Sequence, residues 1–295
     1  MQRLFKLLAV SLFLLLPTGA WSALEVVATS SSTGALVREI AAEQAHLTIL
    51  APPDRDLHHL QARPSMIRAL RGADLVVALG AEIEVGWLPI AIQQAANPQI
   101  LPGRIGYFEA AAQVTLLDVG GPADRALGDI HPMGNPHINM DPVRMAQVGL
   151  ALAERLAKLD PSNATAYRQR ARAFQHAVDS RLPAWRQLAA SAPGVVAYHR
   201  DSIYLLERFA VPLLNTIELV PGIPPTAAHI QQLVHTLQGR QGIVLITTYQ
   251  PEQTPRILAN TLGWPLISLP LEPPLNADGA GYLSHIEDWL KALKP

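Results

Sequence analysis

The sequence predicts an α/β protein of two lobes, each a parallel sheet with flanking helices, joined by a long linking helix. Three observations carry that prediction. Apolar runs of strand character alternate with segments of helical period from Leu24 to Ala96. From Pro142 to about Ser191 the strand signal stops, and Ala, Leu, Arg and Gln recur at helical spacing. After Ala192-Pro193-Gly194 the strand and helix alternation resumes. Strands alternating with helices imply a parallel sheet covered on both faces.

In the first lobe, Leu24 to Thr29 reads as a strand, and Leu36, Ile40 and Ala41 then recur at helical spacing. Leu47 to Leu50 and Leu75 to Leu79 are the next strands, with helices at Ser65 to Arg71 and Trp87 to Ala96. Asp160-Pro161 breaks the helical middle, with Asp160 expected as N-cap and Pro161 at the first helical position. The helix that follows, to about Leu188, would be ~40 Å long at 1.5 Å per residue, with a kink expected at Pro183. In the second lobe, strands are expected near Val195 to Tyr198, Leu213 to Ile217, Ile243 to Thr247 and Leu266 to Leu269. Helices fit between them at Ile203 to Phe209, Ala227 to Leu237 and Glu252 to Leu262.

The first 22 residues read as an export leader. Arg3 and Lys6 form a basic start, Leu7 to Pro17 an apolar run, and Ala20-Trp21-Ser22 a small-residue cleavage site. Pro17 and Gly19 interrupt the run before ~20 apolar residues accumulate, so a membrane span is not expected. The chain has no cysteine, hence neither a disulfide nor a lipid-bearing thiol, and a free periplasmic protein is expected. Without the leader, 21 basic side chains face 24 acidic ones, a balance that gives nucleic acid no basic footprint. The expected organisation is a leader over 1–22, an N-terminal lobe over 23–159, a linking helix over 160–191 and a C-terminal lobe over 192–295. At 49% hydrophobic content, either one large domain or two ordinary ones could bury a core.

With no thiolate available, a transition-metal site must use imidazole and carboxylate, and the chain has ten histidines. His176, His229, His235 and His285 fall in expected helices, and His46 begins a strand. Surface or packing roles are expected for these five. His58, His137 and His199 differ, because each sits in a loop at a strand end or just before a helix, where a two-lobed α/β protein places its ligand. Their similar topological positions suggest convergence on one point in the cleft.

These residues lie within longer motifs. Asp56-Leu57-His58 is followed by Pro64-Ser65 and Ala73-Asp74-Leu75-Val76, then by Gly80, Glu84 and Trp87. Asn135-Pro136-His137 precedes Asp141-Pro142. Asp160-Pro161-Ser162-Asn163-Ala164 precedes Tyr167, and His199 precedes Tyr204. In order and spacing the sequence resembles the zinc- and manganese-binding receptors of ABC transporters, the ZnuA/TroA-like cluster A-I solute-binding proteins. It departs from their pattern in Leu57, where the family has proline, and in Asn139, where it has tryptophan. It also lacks the family's long acidic histidine-rich loop.

The resemblance implies one metal site between two lobes, with His58, His137 and His199 at ligand positions. The family commonly places an aspartate after the last strand, where this sequence reads Leu269-Pro270-Leu271-Glu272-Pro273-Pro274. Glu272 is therefore the expected fourth donor, with Asp278 or water as the alternatives. His131 is expected to be a solvated loop residue, with an auxiliary ligand as the alternative, and His59 is expected at the surface. Imidazole donors suit Zn²⁺ as the transported ligand better than Mn²⁺, which prefers oxygen.

The expected partners are an inner-membrane ABC permease, the metal ion and a periplasmic metallochaperone, with the protein acting as a monomer. A zinc hydrolase would share the three-histidine pattern but needs a general base. No His-Glu-x-x-His helix occurs, and Glu272 and Asp278 are the only acids placed near the site. A receptor for a small organic solute is the remaining rival.

Overall fold

The computed structural model describes residues 23–120 and 131–294. The expected leader, residues 1–22, lies outside the described residues. Two parallel four-stranded sheets form, one in each half of the chain, as the alternation implies.

In the first sheet the strands β1 (Leu24–Ala28), β2 (Ala45–Ile49), β3 (Leu75–Ala78) and β4 (Tyr107–Glu109) lie in the order β2-β1-β3-β4. The second sheet repeats this plan. Its strands β5 (Val195–Ala197), β6 (Leu213–Thr216), β7 (Ile243–Thr247) and β8 (Leu266–Leu269) lie in the order β6-β5-β7-β8. Burial explains the placement. Leu-Val-Val-Ala of β3, Val-Val-Ala of β5 and Ile-Val-Leu-Ile-Thr of β7 are buried throughout and occupy central positions. The edge strand β2 alternates half-buried with exposed residues. In each sheet the chain order reverses beside the first strand, so both sheets open a crevice at their carboxyl ends.

Helices cover the sheets with start signals written in sequence. For α1 (Ser31–Ala41), Ser30 accepts from the Thr33 backbone N–H while the Thr33 hydroxyl answers the Ser30 backbone. Pro64 and Pro142 stand at the first positions of α2 (Pro64–Arg71) and α4 (Pro142–Leu159), where a missing N–H costs nothing. Between those two helices lies α3 (Leu88–Ala95). A single 3₁₀ turn, Pro161–Asn163, then leads into α5 (Ala164–Ala189), which continues through Pro183 without ending. Asp160, expected from the sequence to cap the helix through its side chain, makes no such cap, and its carboxylate accepts instead from the side chains of Ser162, Asn163 and Tyr167. The second lobe carries α6 (Ile203–Arg208), α7 (Ala227–Leu237) and α8 (Gln253–Leu262).

Two elements escape the sequence reading. Strand β4 has three residues, too few to show a period. Helix α9 (Gly279–Ala292) opens with Gly279-Ala280-Gly281, a poor helical start. It packs against α1 and α5, so the end of the chain returns to the first half of the molecule. Leu36 and Ile40 of α1, Leu152 of α4, Phe174 and Val178 of α5 and Trp289 of α9 share one continuous core.

Side-chain contacts tie the halves together around the segment from Asn135 to Asp141. The Tyr204 hydroxyl donates to the Asn135 carbonyl at 2.6 Å, and Asn135 Nδ2 donates to the Arg200 carbonyl at 2.9 Å. The Arg208 guanidinium grips the fully buried Asp141 carboxylate at 2.7 to 3.1 Å. The Tyr282 hydroxyl donates to the Asn139 carbonyl at 2.7 Å.

Candidate metal centre

His58, His137 and His199 meet in the crevice, each offering one nitrogen, and the three nitrogens lie within 4.8 Å of one another. The ring centroids form a near-equilateral triangle of 5.4, 5.5 and 6.0 Å. A tetrahedral zinc with bonds near 2.05 Å holds its donors ~3.3 Å apart, so a contraction of at most ~1.5 Å per pair closes the shell.

Each histidine is fixed from behind. His58 lies in a short 3₁₀ turn, Leu57–His59, whose backbone is pinned where Trp87 Nε1 donates to the Leu57 carbonyl at 2.9 Å. One Asp56 oxygen takes the His58 backbone N–H at 2.9 Å and ring Nδ1 at 2.6 Å. His199, two residues past β5, places Nδ1 3.0 Å from Glu218 Oε2. With Nδ1 donating to a carboxylate, Nε2 of each ring keeps its lone pair for a cation. His137 has its backbone N–H held by Asn135 Oδ1 at 3.0 Å.

The His137 ring is 1% exposed, and neither of its nitrogens has a hydrogen-bond partner. A buried, unpaired imidazole is costly, on the order of 1–3 kcal/mol, and a ligand that takes the lone pair removes that penalty.

Electrostatics prepare the site. Burial, with help from His58, His199 and His131, holds His137 well below the ordinary histidine range, so its ring is neutral near pH 7. Burial also disfavours the charged form of His199, but the Glu218 hydrogen bond and the charges of Asp201, Glu218 and Asp56 outweigh it and raise its pKa. For Asp56, burial alone would raise the pKa. The bonds from His58 and the nearby charge of His59 reverse the sign and hold it at about 2.

A cleft of about 260 Å³ lined by Asp56, His59, His199, Glu218 and Tyr249 gives access to the cluster. A larger groove of about 550 Å³ beside α3 is lined by apolar side chains and amides and has no histidine or carboxylate to offer a cation.

The other expected residues fall as follows. Glu272 shares a small cavity with His137 but lies outside the three-nitrogen cluster. Its carboxylate is taken by the Ser32 N–H at 2.6 Å, the Ser32 hydroxyl at 2.7 Å and Asn139 Nδ2 at 3.0 Å. Asp278 caps α9 through the Gly281 N–H and is not in the cluster either.

His59 is exposed, at 64% of its side-chain surface. His229 and His285 are buried in packing positions, each with Nε2 on a backbone carbonyl, of Thr216 and Leu271 respectively. His131, expected in solvent, is half-buried and places Nε2 2.9 Å from His58 Nε2. The outer carboxylates Asp56 and Glu218 carry no local sequence signal of their own as site residues. Glu218 lies two residues past β6, so the strand-end rule that selected the histidines also reaches it.

Comparison with known proteins bears on the fold and the family. Residues 26–295 match the family model described as the periplasmic component A of the zinc-uptake complex. The high-affinity zinc uptake system protein ZnuA of Yersinia pestis is 25% identical over 266 residues, covering 85% of this chain and 83% of that protein. The manganese ABC transporter lipoprotein PsaA of Streptococcus anginosus is 22% identical, covering 73% of this chain and 69% of its own. A match to the metal ABC transporter lipoprotein ScbA of Streptococcus cristatus, at 24% identity, spans 47% of that protein.

Among solved structures, a crystal structure of ZnuA superposes with a TM-score of 0.76 at 18% identity, over 92% of this chain and 100% of that one. FpvC of Pseudomonas aeruginosa in complex with Mn²⁺ gives 0.78 at 22% identity, over 92% and 97%. Two parallel sheets facing a three-histidine crevice, together with a family match over nearly the whole described chain, lead to one conclusion: the protein belongs to the periplasmic zinc-uptake component A family, the metal-binding receptors of ABC importers.

Proposed function

We propose that the exported protein binds one zinc ion as cargo between its lobes, through His58, His137 and His199, and delivers it to an ABC permease. The observation that carries this reading is His137, a buried imidazole with both nitrogens unpartnered, facing two rings whose outer nitrogens are already bound to carboxylates. The carboxylates make the rings better bases and fix their orientation. Three imidazole donors favour zinc over manganese, the second metal named among the relatives.

The same reading has the leader cleaved near Ser22 and Ala23 and the protein working as a monomer. Where a periplasmic metallochaperone supplies the metal, transfer would run through the cleft beside Asp56 and Glu218.

Metal analysis and zinc titration of untagged protein, with ester and amide turnover assayed beside them, test the reading. One zinc per chain and no turnover is the expected result. Turnover by the zinc-loaded protein would make it a hydrolase, and a protein that takes up no metal would be a receptor for an organic solute.

A further inference from the structure

The backbone segment that carries His137 is clipped to the one that ends at Gly120. The Gly120 N–H donates to the Pro132 carbonyl at 3.2 Å, and the Asn135 N–H donates to the Leu117 carbonyl at 2.8 Å. Residues just past β5, beside His199, grip both segments. The Tyr204 hydroxyl accepts from the Leu117 N–H at 2.9 Å and donates to the Asn135 carbonyl at 2.6 Å.

One amide side chain spans the two ligand backbones. Asn135 Oδ1 accepts from the His137 N–H at 3.0 Å, and Asn135 Nδ2 donates to the carbonyl of Arg200, the residue after His199, at 2.9 Å. The backbone positions of His137 and His199 are therefore coupled through Asn135 and Arg200.

Arg200 adds a second grip with its side chain. Its Nε and Nη2 meet Oδ2 and Oδ1 of Asp118 at 2.8 and 2.9 Å, a two-pronged pair spanning 82 residues of sequence. Asp118 has φ +54°, a left-handed conformation that Asp and Asn adopt more readily than other side-chain-bearing residues. The turn thus suits a short polar side chain at this position, and that side chain meets a guanidinium of matching geometry. Both partners keep 39% of their side-chain surface exposed, whereas Tyr204 is fully buried. The ion pair is therefore the contact of this set that water and salt reach most easily.

We propose that the Asp118–Arg200 pair is a latch on the metal site, with Arg200 a positioning residue that holds His199 within ligation range of His137 and sets how fast the metal leaves. The inference rests on the three-histidine reading above. Release requires the rings to part, and the pair ties the residue beside His199 to the segment clipped to that of His137. Salt screens an exposed pair far more than the buried contacts of Tyr204 and Asn135, so the latch makes release sensitive to ionic strength.

The test uses the full mature protein loaded with zinc: wild type, Arg200→Ala, Asp118→Asn and the double variant. Arg200→Ala keeps the carbonyl that Asn135 holds, and Asp118→Asn keeps a residue that tolerates the left-handed turn. Zinc dissociation into excess chelator is followed by stopped flow at low salt and in 0.5 M NaCl, with urea unfolding beside it. Each single variant should release zinc about three- to fivefold faster than wild type at low salt, the range open to a well-formed exposed pair. The double variant should be no faster than the singles, since both remove one interaction. Salt should speed release from wild type by a similar factor and leave the variants unchanged. Unchanged release in Arg200→Ala, effects that multiply in the double variant, or an equal salt response in wild type and variants would overturn the latch and leave the three-histidine site standing. A lowered unfolding midpoint with wild-type release would make the pair purely structural and overturn it too. Failure of wild type to bind zinc would overturn the underlying reading instead.

Discussion

The carboxylate of Glu272 accepts from both the backbone N–H and the hydroxyl of Ser32, 240 residues earlier in the chain, at 2.6 and 2.7 Å. Ser32 lies in the first turn of α1, so a buried acid from the second half of the molecule satisfies a helix N-terminus in the first. Burial raises the Glu272 pKa, and the Ser32 and Ser30 hydrogen bonds oppose that rise without cancelling it.

Removing this strut should cost stability before it costs metal. Glu272→Ala is expected to lower unfolding free energy by about 3 kcal/mol, the loss of hydrogen bonds to a charged group, as read by urea unfolding. Glu272→Gln should keep zinc affinity within about twofold, since the carboxylate is outside the donor cluster. A loss of tenfold or more in Glu272→Gln would return this carboxylate to the ligand set.

Asp56 and Glu218 act through the rings they hold. Asp56→Asn and Glu218→Gln should each weaken zinc by roughly 10- to 100-fold, because the imidazole loses both its orientation and its anionic partner. Chelator competition reads the change. Wild-type affinity in both variants would show that the rings hold their orientation without the acids.

Zinc affinity should fall as pH falls through the ordinary histidine value of about 6.5, because protons compete for the ligand lone pairs. The His199 pKa is raised and that of His137 is depressed, so His199 takes its proton first and the loss begins on the alkaline side of that value. Titrations from pH 8 to about 5.5 check this, and an affinity flat over that range would point to oxygen donors.

Glu84 gives a second pH effect, on stability. It is 4% exposed and accepts from Thr29 Oγ1 at 2.6 Å, the Leu79 N–H at 2.7 Å and the Gly80 N–H at 3.0 Å. Burial outweighs these bonds and raises its pKa to about 7. Between its ordinary value of 4.5 and about 7, the folded state holds a proton that the unfolded state has lost, so rising pH lowers stability. Relative to Glu84→Gln, wild type should lose on the order of 3 kcal/mol across that interval and nothing further above it. Parallel denaturation curves at each pH for the two proteins would contradict this.

The parts of the fold legible in the sequence are those with a local signal. Val26-Val27, Val76-Val77 and Ile243 to Ile246 read as strands because a buried parallel strand is apolar throughout. His58, His137 and His199 stood out because strand-end loops are few and histidines in them fewer. What could not be read depends on distant pairing. Nothing near Glu272 announces Ser32 as its partner, and the burial of His131 depends on its approach to His58, 73 residues away. Helix α9 has no local signal because its stability comes from packing against α1 and α5, with Trp289 and Leu290 buried, and not from its glycine-rich start.

The most direct measurement is zinc titration and chemical denaturation of His137→Leu. The substitution removes a 1%-exposed imidazole whose nitrogens have no partner and puts an apolar side chain of comparable bulk in its place. Metal-free His137→Leu should be as stable as wild type or more so, by about 1 kcal/mol, because a buried unsatisfied polar group has gone. Its zinc affinity should fall by about 100-fold or more. Wild-type zinc affinity in a folded His137→Leu protein would contradict the assignment of this crevice as the metal site.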